Sequence, residues 1–288
     1  MAKRDKGLKM SKFPSEIFGY HHTDKRKKAR ECRQKFWCPY VDLICYKKSR
    51  LLDFPFGVCT AHVNETDIAL CPRRFLENNT IFKDIAQHHF ESAHDILIFP
   101  EVHLKNTGSF DFVMVKHKPM SVEIEDFIAI EFQTGQTTST GHLVQGLKDY
   151  LSENGKMLKK YNFGLNMYDI WKRTFTQILN KGIIFENWNK KLYWVIQDQI
   201  YHYFEKRYNL QDLKYDDNHT TVFKLYDLKP HKKSLTLNPT RTLSASIDEL
   251  FRAFRNNPNI PPVENFLKRL KMKIEAQAQL SLNLNQKK

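Results

Sequence analysis

Two periods of hydrophobic spacing divide this chain. Between residues 77 and 93, Ile81, Phe82, Ile85, Ala86, His89 and Phe90 recur at three- and four-residue steps, which predicts an amphipathic helix over Glu77–Ala93. Short strand-like runs follow at Asp95–Leu104, Phe110–Val115 and Asp126–Gln133. The helical period returns over His142–Leu158, with Leu143, Val144, Leu147, Tyr150 and Leu151 inward, and over Met167–Leu179, with Met167, Ile170, Trp171, Phe175 and Ile178 inward. Leu192–Gln197 and Thr221–Tyr226 read as further strands, and Ile247–Phe254 and Val263–Ile274 as helices. Strands that precede and follow a pair of helices predict an α/β fold, a mixed sheet flanked by helices.

Composition is that of a folded chain: 288 residues, 41% hydrophobic and 13% aromatic, enough to bury a real core. No run of eighteen apolar residues is present, and the basic start Met1–Met10 has no apolar stretch behind it, so a cytoplasmic protein without a membrane span is expected. Charge changes the picture more. The net value is +14, but residues 1–50 hold fifteen basic and five acidic side chains and residues 268–288 hold six and one, which leaves the middle close to neutral. A neutral body with basic ends suits a polyanionic partner, with nucleic acid ahead of a membrane surface.

All five cysteines lie between Cys32 and Cys71, and the 217 positions beyond contain none. In a reducing compartment such crowding favours a metal over disulfides. The best tetrad is Cys38, Cys45, Cys59 and Cys71, with Cys32 the spare: Cys38-Pro39 and Cys71-Pro72 follow a ligand with a residue lacking an N–H, and Gly57 offers a tight turn before Cys59. The chain then divides into a basic four-cysteine metal-binding module (1–75), a core (76–230) and a C-terminal helical extension with a basic tail (231–288).

The strands Phe110–Val115 and Asp126–Gln133 each carry a carboxylate on an apolar element. As an antiparallel hairpin with Lys116 opposite Asp126, they place Asp111 opposite Glu131, and period-two alternation puts Glu131 and Gln133 on one face while Ile130 and Phe132 point away. Two adjoining carboxylates call for a cation, and Mg²⁺ is the oxygen-preferring choice; Gln133, unable to ionise, would orient water or phosphate. The small polar run Thr134–Gly141 suits approach to a phosphate backbone. Other chemistries find no support: Leu147 stands where a phosphate loop starting at Gly141 needs lysine, and neither Gly-x-Ser-x-Gly nor His-Glu-x-x-His occurs. His21-His22 is expected to be solvated, His88-His89 to split between core and surface, and Trp188, Tyr193, Trp194, Tyr201, Tyr203 and Phe204 to be core.

In order, Ile17-Phe18-Gly19-Tyr20, Cys38-Pro39-Tyr40, Cys45-Tyr46-Lys47, Gly57-Val58-Cys59-Thr60, Cys71-Pro72-Arg73-Arg74-Phe75, Pro100-Glu101-Val102, Asp111, Glu131-Phe132-Gln133-Thr134 and Asn162-Phe163-Gly164-Leu165-Asn166 make a series that resembles the NotI-type restriction endonucleases, over about residues 15 to 200. These belong to the nucleases with a Pro-Asp…(Asp/Glu)-x-Lys active site. The resemblance implies a PD-(D/E)XK core and a type II restriction endonuclease that hydrolyses double-stranded DNA at a specific sequence with Mg²⁺. It implies Asp111, Glu131 and Gln133 as catalytic residues, with Asp111 and Glu131 on the metal and Gln133 where relatives have Lys. It further implies a structural iron on Cys38, Cys45, Cys59 and Cys71, where base rates favour zinc, together with a homodimer and a companion DNA methyltransferase acting on the same site. Phe110 replaces the proline of the wider motif, and Glu101 is a looser match that adds a metal contact or supports one. The alternatives are a non-catalytic, metal-stabilised nucleic-acid-binding protein, or a nuclease acting on damaged or branched DNA.

Overall fold

A computed structural model describes residues 11–91, 95–152 and 155–276. The basic start Met1–Met10 and the tail beyond Ala276 lie outside the described residues, as do the end of the first expected helix and two positions of the second. The expected mixed sheet is present. Its strands are β4 (Ile96–Leu104), β5 (Gly108–His117), β6 (Ile124–Gln133), β7 (Leu192–Gln197), β8 (Thr221–His231) and β9 (Ser234–Ala245). They follow one another in space as β9-β8-β7-β6-β5-β4, with β7 parallel to both β6 and β8 and the other pairs antiparallel. Every residue of β7 is buried, which its sequence LYWVIQ already suggests: a central parallel strand covered on both faces carries a continuous apolar run rather than an alternation.

Ahead of this sheet lies a second, antiparallel one, in the order Tyr20–His21, β1 (Lys12–Ile17), β2 (Val58–Val63), β3 (Thr66–Ala69), with helix α1 (Lys27–Gln34) beside it. The cysteine-rich segment is therefore built on strands that the cysteine spacing had not suggested. It shares one core with the rest of the chain: Ile17, Phe18, Val58 and Ala61 belong to the same buried cluster as Trp194, Ile196, Phe223 and Leu250. Two buried polar side chains join the sheets. Gln197 accepts the Ala69 N–H at 2.5 Å and donates to the Asp67 carbonyl at 2.9 Å. Arg74, fully buried, donates to Glu16 at 2.6 Å, to Glu77 at 3.0 Å and to the Leu235 carbonyl at 2.9 Å.

Helix α2 (Thr80–Phe90) covers one face of the large sheet, with Ile81, Phe82, Ile85 and Ala86 packed among Met114, Ile128, Ile130, Tyr193 and Val195. On the other face lie α4 (Met167–Trp188), α5 (Asp198–Tyr208) and α6 (Ile247–Arg255), while α3 (Thr140–Ser152) packs against β1 of the small sheet. Asn166 caps α4 by accepting the Asp169 N–H, and Asn189, in the left-handed region, closes it. Ser246 and Glu249 form a capping box at the start of α6.

Several expectations need correction. α4 runs nine residues past Leu179, and α5 was not foreseen. The core continues past residue 230, which lies inside β8, because Ser234–Ala245 pairs with β8 as an edge strand; the C-terminal part is helical only from Ile247. His21 and His22 are half-buried rather than solvated, and burial lowers the His22 imidazole to about 4. In the aromatic group, Tyr193, Trp194, Tyr201 and Phe204 are core, but Trp188 and Tyr203 are exposed. His88 and His89 are both half-buried: His88 Nδ1 meets the Tyr193 hydroxyl at 3.0 Å and His89 Nε2 meets Asp126 at 2.8 Å.

Candidate active site

The hairpin forms in the expected register, Lys116 opposite Asp126 and Phe112 opposite Ile130. Backbone pairing between β5 and β6 ends at Phe112, and the next residues are joined by side chains instead. Asp111 Oδ2 accepts the Phe132 N–H at 2.8 Å, while the Asp111 N–H donates to the Glu131 carboxylate. The two strands thus part where their two carboxylates meet. On the far side of β5 the ladder is also interrupted: Pro100 pairs with Phe112 and Val102 with Phe110, while Glu101 between them takes a left-handed φ of 52°. Such an irregularity bends a strand and re-aims a side chain. Glu101 acts on Asp111 as a neighbouring negative charge.

Glu131 and Gln133 are buried and Asp111 is half-buried. Burial is the main cause that pushes the Glu131 carboxyl up to about 7, and Asp111 adds to the rise while Lys181 opposes it. Asp111 is raised as well, again mainly by burial, with Glu101 adding and the Phe132 N–H and Lys181 opposing. Gln133 is held at both ends of its amide: Oε1 accepts from the Thr174 hydroxyl at 2.6 Å, and Nε2 donates to the Thr134 carbonyl at 2.8 Å. Beyond it, Ser139 and Thr140 of the small polar run lie exposed.

Two residues at the site had not been picked out from the sequence, and both come from α4. Thr174 holds Gln133, and Lys181 places its ammonium 2.5 Å from Glu131 Oε1 and 2.7 Å from the Ser109 carbonyl. A signal existed. Positions 170, 171, 174, 178, 181, 182 and 185 make the buried stripe of α4, so Lys181 is a lysine inside an apolar helix face.

Among the described residues no three His, Cys, Asp or Glu side chains come close enough together to hold a metal ion. The thiols of Cys38, Cys45, Cys59 and Cys71 nevertheless share one neighbourhood. Burial raises Cys45, Cys59 and Cys71, and Cys38 and Cys71 add to the rise at Cys45 and Cys59. Backbone N–H groups of Gly19, Lys47 and Arg73 donate to the sulfurs of Cys59, Cys45 and Cys71. Gly57 serves close packing rather than a turn, since a Cβ there would lie 2.3 Å from the Phe18 ring. Cys32 is buried on α1 in a hydrogen bond with the Tyr20 hydroxyl.

Two carboxylates and a fixed glutamine thus gather where strands of the mixed sheet diverge, in a strongly basic chain. Residues 25–238 match the family Restriction endonuclease NotI, and the chain belongs to that family. It is a type II restriction endonuclease, a site-specific deoxyribonuclease whose substrate is double-stranded DNA. No individual curated protein matches the chain. The purely binding alternative is thereby set aside. Among the described residues no helix is long and apolar enough to cross a membrane.

Proposed function

We propose that cleavage depends on Mg²⁺ held by Asp111 and Glu131, with Gln133 orienting water or phosphate beside them. The observation that carries this reading is the crowding of negative charge at the strand divergence, where burial raises both carboxyls, Asp111 adds to the rise at Glu131 and Glu101 to that at Asp111, and a cation would relieve them. The donor set fits: Mg²⁺ is commonly held by one or two carboxylates and completes its shell with water and substrate phosphate. When bound, the ion supplies charge that steadies the scissile phosphate and acidifies a water. The protein's own part is to hold its groups still. Phe132 N–H fixes Asp111, Asp111 N–H and Lys181 fix Glu131, and Thr174 and the Thr134 carbonyl fix Gln133, leaving the second amide hydrogen of Nε2 to orient substrate.

The same proposal gives Cys38, Cys45, Cys59 and Cys71 one structural ion, iron or zinc. Support comes from their shared neighbourhood and from the N–H groups aimed at three of the sulfurs, a polarity that favours thiolates. A cytoplasmic homodimer, each protomer cutting one strand of a palindrome, is the assembly we propose, with a companion DNA methyltransferase acting on the same site. Digesting a mixed-sequence plasmid with and without Mg²⁺ and mapping the ends tests the core of this reading. Defined fragments that appear only with the ion support it; equal cutting in chelator contradicts it.

A further inference from the structure

We infer that Lys181 is a positioning residue that acts as a built-in counter-ion of the cleavage site, holding Glu131 before any divalent ion arrives and so keeping metal affinity low until DNA is bound. The inference rests on the proposed role of Asp111 and Glu131 and concerns how that site is loaded.

The geometry is that of a clamp with two anchors. Lys181 Nζ lies 2.5 Å from Glu131 Oε1 and 2.7 Å from the Ser109 carbonyl on β5, two residues before Asp111, and 4.9 Å from the centre of the Phe110 ring. Its side chain is 5% exposed and that of Glu131 6%, so the pair is shielded from bulk water and its charges are felt strongly. A lysine in a helix's buried stripe is costly unless paired, and breaking such a pair leaves an uncompensated charge. The Ser109 carbonyl matters here, because it can keep the ammonium in place when the carboxylate turns to another cation.

The electrostatic consequence follows. A divalent ion approaching Asp111 and Glu131 meets one positive charge already seated against them, and must share or displace it. Bound DNA changes the balance, since its phosphates add negative charge and oxygen ligands at the same place. Metal and DNA should therefore bind with positive coupling, and by linkage each tightens the other by the same factor.

The test is Mn²⁺ binding to the DNA-free protein by titration calorimetry. The substitution Lys181→Gln, close in length and neutral, should bind Mn²⁺ about tenfold more tightly than wild type, and the tightening that added DNA produces should shrink by a similar factor. Lys181→Arg, which keeps the charge, should stay near wild type. If Lys181→Gln binds no more tightly than wild type while Asp111→Asn loses the ion, the inference is overturned and the metal site stands. If Asp111→Asn binds Mn²⁺ as well as wild type, the carboxylate reading itself falls. Thermal unfolding gives a second readout if the single variant folds poorly. Adding Glu131→Gln to Lys181→Met should then recover stability, because no charge is left buried alone; a double variant no more stable than Lys181→Met would overturn the pairing.

Discussion

The Thr174 hydroxyl lies 2.6 Å from Gln133 Oε1, across the interface between α4 and β6, and 2.8 Å from the Ile170 carbonyl of its own helix, its single hydrogen shared between the two oxygens. This hydrogen bond fixes which way the Gln133 amide faces, and hence where its remaining N–H points. Thr174→Val keeps the shape and removes the donor. Steady-state cleavage should fall about tenfold with substrate affinity little changed, since a misplaced orienting group chiefly affects turnover. Gln133→Ala should fall further, and Gln133→Lys should retain partial activity if the side chain acts as lysine does in relatives. Equal rates for Thr174→Val and wild type would show that the orientation of Gln133 is unimportant.

Arg74 joins the two sheets through Glu16, Glu77 and the Leu235 carbonyl. Removing one partner of a buried ion pair strands the other, so Arg74→Met should lower unfolding stability by about 3–5 kcal/mol in denaturant titrations. Burial already raises Glu16 to about 7 with Arg74 beside it, so the loss of the guanidinium leaves that carboxyl in a worse position. A change under about 1 kcal/mol, within the range of an exposed pair, would show that the network contributes little.

His88 is lowered to about 4, by burial first and then by Lys224 and Lys191. A group with a depressed folded pKa adds stability above its unfolded pKa near 6.5 and loses it as pH falls toward 4. Wild type should therefore be more stable than His88→Gln at pH 7, with the gap closing as pH drops to 4. Thermal melts at several pH values check this, and a gap that widens in acid would give the opposite sign. His22, lowered for the same leading reason, keeps part of the acid sensitivity in the variant.

The cysteine proposal predicts a difference between positions. Serine at Cys38, Cys45, Cys59 or Cys71 should cost the bound ion and much of the soluble yield, while Cys32→Ser should keep both, because the Cys32 thiol bonds Tyr20 and belongs to α1. Elemental analysis of purified protein decides it. Equal loss at Cys32 would mean that the tetrad is chosen wrongly.

What could be read in advance depended on how local the information is. The β5–β6 register was legible because an antiparallel hairpin with Lys116 opposite Asp126 and period-two alternation turns Ile130 into the core, and the structure has it. That register also placed Asp111 and Glu131 next to each other. The loss of backbone pairing beyond Phe112, where side chains take over, was not legible. Lys181 and Thr174 reach the site from 50 and 41 residues away, a distance that no local period encodes. β9 escaped notice because SLTLNPTRTLSA is polar and broken by Pro239, features that an edge strand with a register shift tolerates. The N-terminal strands were not legible because they are short and lie among the cysteines, yet they pack into the common core.

Whether Asp111 and Glu131 bind the divalent ion is tested most directly by cleavage and DNA binding measured side by side for wild type and Asp111→Asn in Mg²⁺. The amide preserves the shape and an oxygen to accept the Phe132 N–H, but loses the charge that draws the cation. The expected result is undiminished or tighter binding of cognate DNA with cleavage abolished, and the same for Glu131→Gln. Cleavage of cognate DNA by Asp111→Asn at the wild-type rate would contradict the assignment of the site.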